Sequence, residues 1–136
     1  MNLRDQLRRD EGVRFHPYKD TVGRTTIGVG RNLDDTGITL EEANFLLDND
    51  IARAEASLAE SFPWTDGLDD IRKAVLVNMV FNMGVHGLSQ FKETLSLVRE
   101  GKYEEASHEM LNSTWAQQVG PRAFRLSQQL REGVWV

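Results

Sequence analysis

"DEGVRFHPYKDTVGRTTIGVG", residues 10–30, is where one hydrophobic period of the chain stops and another begins. Upstream, Asn2 to Glu11 carries Leu3 and Leu7 at helical spacing, and Gly12 can end that helix as a C-cap. Inside the stretch, Val22, Thr25, Thr26, Ile27 and Val29 favour strands, while Gly23, Gly28 and Gly30 mark turns or bulges. The expectation is a helix closing at Glu11 and a small antiparallel sheet after it. Residues with chemistry to offer are spread across that junction: Glu11 at the helix end, Asp20 nine residues on, and Thr26 six beyond that.

Downstream the chain returns to helical spacing. Thr39 and Glu42 form a capping box, S/T-x-x-E, and open a helix running to about Glu60 with Ala43, Leu47, Ile51, Ala54 and Leu58 as its stripe. Pro63 stops it. "LDDIRKAVLVNMVFNMG" (68–84) is apolar nearly all round in its second half, which predicts a buried central helix with Val75 and Met79 in the core and the deepest burial of any element. Shorter helices are expected at about 92–99 and 103–112. Pro121 suits the first position of a last helix reaching Glu132. The layout is that of one α+β domain over residues 1–136, mainly helical. A sheet lobe covers about 13–37 and a bridging helix about 39–60. The helical lobe covers about 61–136 with helix 2–11, and a cleft lies between the lobes.

Length and composition set bounds. The 136 residues can build one domain with a real core, and 40% hydrophobic with 27% charged is ordinary globular composition without low-complexity runs. Cysteine is absent, which excludes disulfides, thiolate chemistry and Cys-based zinc sites. "MNLRDQLRRDEG" is charged from its fourth residue and has no apolar h-region, so the expectation is synthesis and folding in the cytoplasm. No apolar run reaches transmembrane length, so no membrane insertion is expected. The net charge of −5 divides unevenly: +3 over residues 1–31, −10 over 32–70 and +2 over 71–136. An acidic chain without a contiguous basic face argues against nucleic acid as a partner.

Several motifs fail on chemistry. "GRTTIGVGRN" holds a GxG but no full dinucleotide fingerprint, and no helix opens after it. "NLDDTGIT" has Gly37 where a calcium loop has its sixth residue, but the twelfth falls on Ala43 instead of a bidentate glutamate. His16, His86 and His108 lack metal-ligand spacing, so neither metal nor cofactor is expected. Asn78 and Asn82, one turn apart, fit either structural hydrogen bonds or sugar contacts. Glu11 and Asp20 fit glycoside cleavage, where one carboxylic acid protonates the leaving oxygen and another carboxylate handles the sugar carbon or a water. Such a pair needs two different environments, and a helix end and a β-turn supply them.

The stretch 10–30 closely resembles the active-site segment of the phage-type lysozymes. The similarity continues in "RKAVLVNMVFNMG" (72–84), "FKETL" (91–95), "STWAQQVGPRAFR" (113–125) and "GVW" (133–135), in one order over almost the whole chain. This resemblance implies a lysozyme-like fold and a muramidase acting on peptidoglycan during host lysis. It makes Glu11 the general acid, Asp20 the carboxylate that helps activate water, and Thr26 the holder of that water. Arg122 matches an arginine near the acid, and Gln118 a cleft-side amide. Phe81 and Thr94 match sugar contacts on the helical lobe, and Asn32 one on the sheet lobe. It further implies a monomer that reaches the wall with the help of a holin.

In the family layout the residue after "GVG" faces an acid near the middle of the bridging helix, so Arg31 is expected to pair with Asp50. The chain departs from well-known members in two ways. They carry a longer stretch, with an extra helix, where this one has only Asp34 to Gly37, and they are strongly basic. A smaller sheet lobe with one end of the cleft more open is the expectation.

Overall fold

The computed structural model describes residues 1–136. Asn2 caps α1 (Leu3–Glu11), its side chain accepting the Asp5 amide at 2.9 Å, and Gly12 ends the helix at φ 75° with its N–H on Arg8 O. Three short strands follow as an antiparallel meander: β1 (Arg14–Lys19), β2 (Thr25–Gly28) and β3 (Arg31–Asn32). Tyr18 pairs with Thr26 and Arg14 with Gly28, so the β1–β2 register slips between them. Pro17 lies in that interval on an edge strand, where a missing N–H is tolerated. Across the sheet, Thr26 faces Asn32 and Ile27 faces Arg31.

The capping box forms as expected. Thr39 N–H donates to Glu42 at 2.9 Å and Glu42 N–H to the Thr39 hydroxyl at 3.1 Å, opening α2 (Leu40–Ser61). After α2 the chain takes a 3-10 turn (Pro63–Gly67). It then forms α3 (Asp70–Ser89), α4 (Lys92–Arg99), α5 (Tyr103–Leu111), α6 (Thr114–Val119) and α7 (Pro121–Glu132). These elements make an α+β fold, helical apart from the one sheet. Two compact units result, Met1–Leu46 and Leu47–Val136. Thus α1, grouped by sequence with the helical lobe, falls within the unit that holds the sheet.

Five differences from the sequence expectations have physical causes. The central helix begins at Asp70, because Asp69 takes the N-cap, accepting the Arg72 amide at 3.0 Å, while Leu68 stays extended. It also passes Gly84 through a non-helical residue at φ 79°, a conformation that glycine alone adopts cheaply. Its core residues are as expected: Val75 and Met79 are fully buried. It is not uniquely deep, since the shorter α7 buries Ala123, Leu126, Ser127, Gln129 and Leu130. Of the α2 stripe only Ala54 and Leu58 are buried, because the core is built by the helices after residue 53. Finally, α6 was missed: it spans six residues, capped by Ser113 on the Ala116 amide, too short to show a period.

Arg72 ties the end of the second unit together. Its Nε donates to Leu130 O at 2.7 Å and its Nη2 to Arg131 O at 3.0 Å, while the guanidinium stacks 3.9 Å from the Tyr103 ring. Carbonyls at the C-terminus of α7 that lack helical partners are thereby satisfied by a cation, as the helix dipole favours.

The Arg31–Asp50 expectation is corrected. Arg31 instead grips Glu42, with Nη2 2.8 Å from one carboxylate oxygen and Nη1 2.9 Å from the other, and Nη1 also donates to Gly37 O at 3.1 Å. Asp50 pairs with Arg53 on its own helix. The loop between β3 and α2 is so short that the first turn of α2 meets Arg31, before the helix has run far enough to present Asp50.

Candidate active site

The first unit gathers Glu11, Asp20, Thr26 and Asn32. Glu11 is the last residue of α1, and its carboxylate lies against the β2–β3 turn at Gly30. A Cβ at Gly30 would stand 3.0 Å from Glu11 Oε2, at a backbone φ of +72° that disfavours any side chain. Gly30 therefore leaves the space in which the acid sits.

Asp20 follows β1 and folds its carboxylate back onto its own turn. Oδ1 accepts the Val22 amide at 2.9 Å and the Arg24 amide at 2.8 Å, and Asp20 N–H donates to Arg24 O at 3.0 Å. The Arg24 amide above all holds Asp20 below the ordinary carboxylate range; burial, the next largest effect, opposes it, and the Val22 amide and the Arg24 charge add to the lowering. Thr26, in the middle of β2, is the one buried side chain of this unit. Its hydroxyl donates to Arg24 O at 3.0 Å. With its hydrogen committed, that oxygen retains lone pairs for a water's O–H. Asn32, opposite Thr26, donates to Asp35 at 2.9 Å and accepts the Asp35 amide at 3.1 Å.

The second unit holds the remaining sequence candidates in two places. Phe81 is 46% exposed on α3, so it is not core packing. It lines a groove of about 590 Å³ with Asn78, Arg122 and Trp135. Arg122 directs Nε and Nη2 onto Asn78 Oδ1 at 3.0 and 2.7 Å. Thr94, nearly fully buried on α4, borders a different groove of about 370 Å³ with Phe91, Glu109 and Trp115. Trp115 Nε1 donates to Asn82 at 2.8 Å. Both asparagines of α3 are thus committed to structural hydrogen bonds. Gln118 is exposed on α6 and lines neither groove. No sequence signal picks out Gly30 or Arg24, because their roles lie in a backbone approach and in peptide groups.

Glu11 at a helix end, Asp20 in a turn that holds its pKa low and the buried Thr26 hydroxyl thus share one small sheet unit, while the helices carry the core. The chain belongs to the phage lysozyme family, whose model matches residues 8–131. It is 35% identical to "Probable T4-type lysozyme 1" of Dictyostelium discoideum, over 97% of this chain and 95% of that one. It is 31% identical to an endolysin of Acyrthosiphon pisum secondary endosymbiont phage 1, over 85% and 80%. A third relative is the pre-baseplate central spike protein Gp5 of Enterobacteria phage T4, 31% identical over 93% of this chain but only 27% of that protein. Membership makes the chain a lysozyme-type glycoside hydrolase acting on peptidoglycan. The alignment with the Dictyostelium lysozyme extends over 162 positions against 136 residues here, so that relative carries segments this chain lacks.

Proposed function

We propose that the chain is an endolysin that hydrolyses the β-1,4 bond between N-acetylmuramic acid and N-acetylglucosamine, inverting the anomeric carbon. Glu11 protonates the leaving oxygen, Asp20 accepts a proton from the attacking water, and Thr26 holds that water. One observation carries the reading. The Asp20 carboxylate accepts the Arg24 N–H, while the Asp20 N–H and the Thr26 hydroxyl both donate to the Arg24 carbonyl, so the backbone of one residue links the base to the water-holding hydroxyl. A carboxylate already satisfied by two amides and kept ionised suits a base better than a proton donor. Inversion requires room for the water, which sets an expected spacing of roughly 6.5–9.5 Å between the Glu11 and Asp20 carboxyls in the working enzyme. Phe81 and Arg122 on one groove, Thr94 on the other, and Asn32 and Gln118 supply sugar contacts.

The host-lysis setting draws on the relative named endolysin. The protein acts as a monomer on the periplasmic wall after synthesis in the host cytoplasm. A holin provides its passage to the wall, in keeping with the host-lysis setting. The test is the product released from purified peptidoglycan. Reducing muramic acid ends formed first as the α-anomer are expected. 1,6-Anhydro ends would mark a lytic transglycosylase, and absence of any release would mark a wall-binding domain; either result defeats the proposal.

A further inference from the structure

We propose that Arg24 is a positioning residue for Asp20 and Thr26, locked in place by its ion pair with Asp35 in the shortened loop before α2. The proposal rests on the roles given to Asp20 and Thr26 above. Three hydrogen bonds converge on the Arg24 peptide groups. Its N–H donates to Asp20 Oδ1 at 2.8 Å, and its carbonyl accepts Asp20 N–H and the Thr26 hydroxyl, both at 3.0 Å. The N–H and the carbonyl belong to the successive peptides on either side of the Arg24 Cα, so a shift of this one residue would displace the base and the water holder together. The turn that carries it contains Gly23 at φ 87° and is closed by the Gly23 N–H on Asp20 O at 3.0 Å.

The side chain of Arg24 leaves the turn and meets Asp35, with Nε 3.3 Å from Oδ2. Asp35 is itself fixed. Asn32 both donates to its carboxylate and accepts its amide. Its neighbour Asp34 accepts the Thr25 amide at 2.8 Å, beside the Leu33 N–H to Thr25 O bond of 2.8 Å. Asn32 lies opposite Thr26 in the sheet. The contacts close a ring from Thr26 through Arg24, Asp35 and Asn32 back to Thr26. An exposed ion pair adds little to stability, so what this one contributes is geometry. Arg24 is the charged group facing Asp20, since the neighbouring Lys19 is engaged with the Thr25 hydroxyl at 2.6 Å.

The test compares Arg24→Met, Arg24→Lys, Asp35→Asn and the Arg24→Met/Asp35→Asn double variant on solubilised peptidoglycan chains across pH, with Glu11→Gln as control. Arg24→Met and Asp35→Asn are each expected to lower kcat about tenfold, an order less than the ~10²-fold cost of a 1 Å misplacement, with KM within about twofold. The double variant should be no slower than either single one, because both break the same ring. Arg24→Met removes a cation that favours ionised Asp20, so the acid limb of its pH profile should move to higher pH. Arg24→Lys should restore most of kcat with the parental limb. A merely structural arginine would alter melting and leave the acid limb where it was. Asp35→Asn keeps every backbone donor and decides the matter if Arg24→Met fails to fold. Parental kcat in Asp35→Asn, or losses that multiply in the double variant, overturns the proposal while an inactive Glu11→Gln leaves the site assignment standing. Parental turnover in Glu11→Gln would remove the site assignment and this proposal with it.

Discussion

Residues 47–136 and residues 1–46 are stabilised by different physics. Every buried hydrophobic side chain lies beyond residue 53, where Leu58, Val75, Leu76, Met79, Val98, Met110 and Leu130 pack with their neighbours. In the first unit Phe15 is 84% exposed and α1 buries nothing. That unit is organised by polar contacts: the Asp20 turn, Asp34 on Thr25, Arg24 with Asp35, and Arg31 on Glu42. Burial of apolar area dominates folding free energy, so stability concentrates in the helices. The proposed chemistry concentrates in the sheet, where carboxylates and peptide groups remain accessible. Regions that must bind or react are commonly drawn from the less stable part of a fold.

The sharpest way to break this contrast is to damage each unit and ask what is lost. Glu11→Gln keeps shape and removes the proton donor, so turnover should fall by ~10²–10⁴-fold, read as reducing ends released from peptidoglycan. Its thermal melt should match the parent, because Glu11 is exposed and a glutamine fills the same space beside Gly30. Met79→Ala should do the opposite, costing about 2–5 kcal/mol in urea unfolding, and Val75→Ala somewhat less. Phe15→Ala, large but exposed, should stay within about 0.5 kcal/mol. A Phe15 effect equal to that of Met79 would erase the distinction.

Gly30→Ala sharpens the contrast from the other side, by placing a single methyl in the sheet unit. The added Cβ meets Glu11 Oε2 at 3.0 Å and forces a non-glycine residue to φ +72°. The expected stability loss is about 1–2 kcal/mol from the backbone, while activity should fall by up to ~10²-fold as the acid is displaced. Equal losses in Gly30→Ala and a distant positive-φ glycine such as Gly101→Ala would show that strain alone is at work.

How legible all this was in the sequence follows the same division. Val75 and Met79 announced themselves by a run apolar nearly all round, and Thr39 with Glu42 by cap chemistry, because those signals are local. Glu11, Asp20 and Thr26 stood out through a resemblance that reaches across the chain. Spacing alone could not distinguish them from ordinary surface acids and a strand threonine. The partner of Arg31 was misassigned because a loop length decides it: a short connection delivers Glu42 and not Asp50. Arg24 was invisible for a different reason. Its contribution runs through an amide and a carbonyl that every residue possesses, and only the folded turn aims them.

The smallest predicted effect isolates one polar staple of the sheet unit. Hydrogen bonding from Arg31, helped by the Thr39 amide, lowers the Glu42 pKa to about 2. A carboxylate depressed on folding contributes stability that is present above its ordinary value and lost as pH falls toward the folded one. Arg31 stays protonated throughout, so the window belongs to Glu42. Glu42→Gln should therefore weaken protection of the Arg31 and Leu33 amides at pH 7 in hydrogen exchange. The gap between parent and variant should close between about pH 5 and pH 2. The pair is partly exposed, so salt should narrow the gap as well. Amides of α3 should not respond, because the second unit does not depend on this pair. A gap that persisted unchanged at pH 2 would mean that Glu42 acts through its hydrogen-bond shape at the cap, with no contribution from its charge.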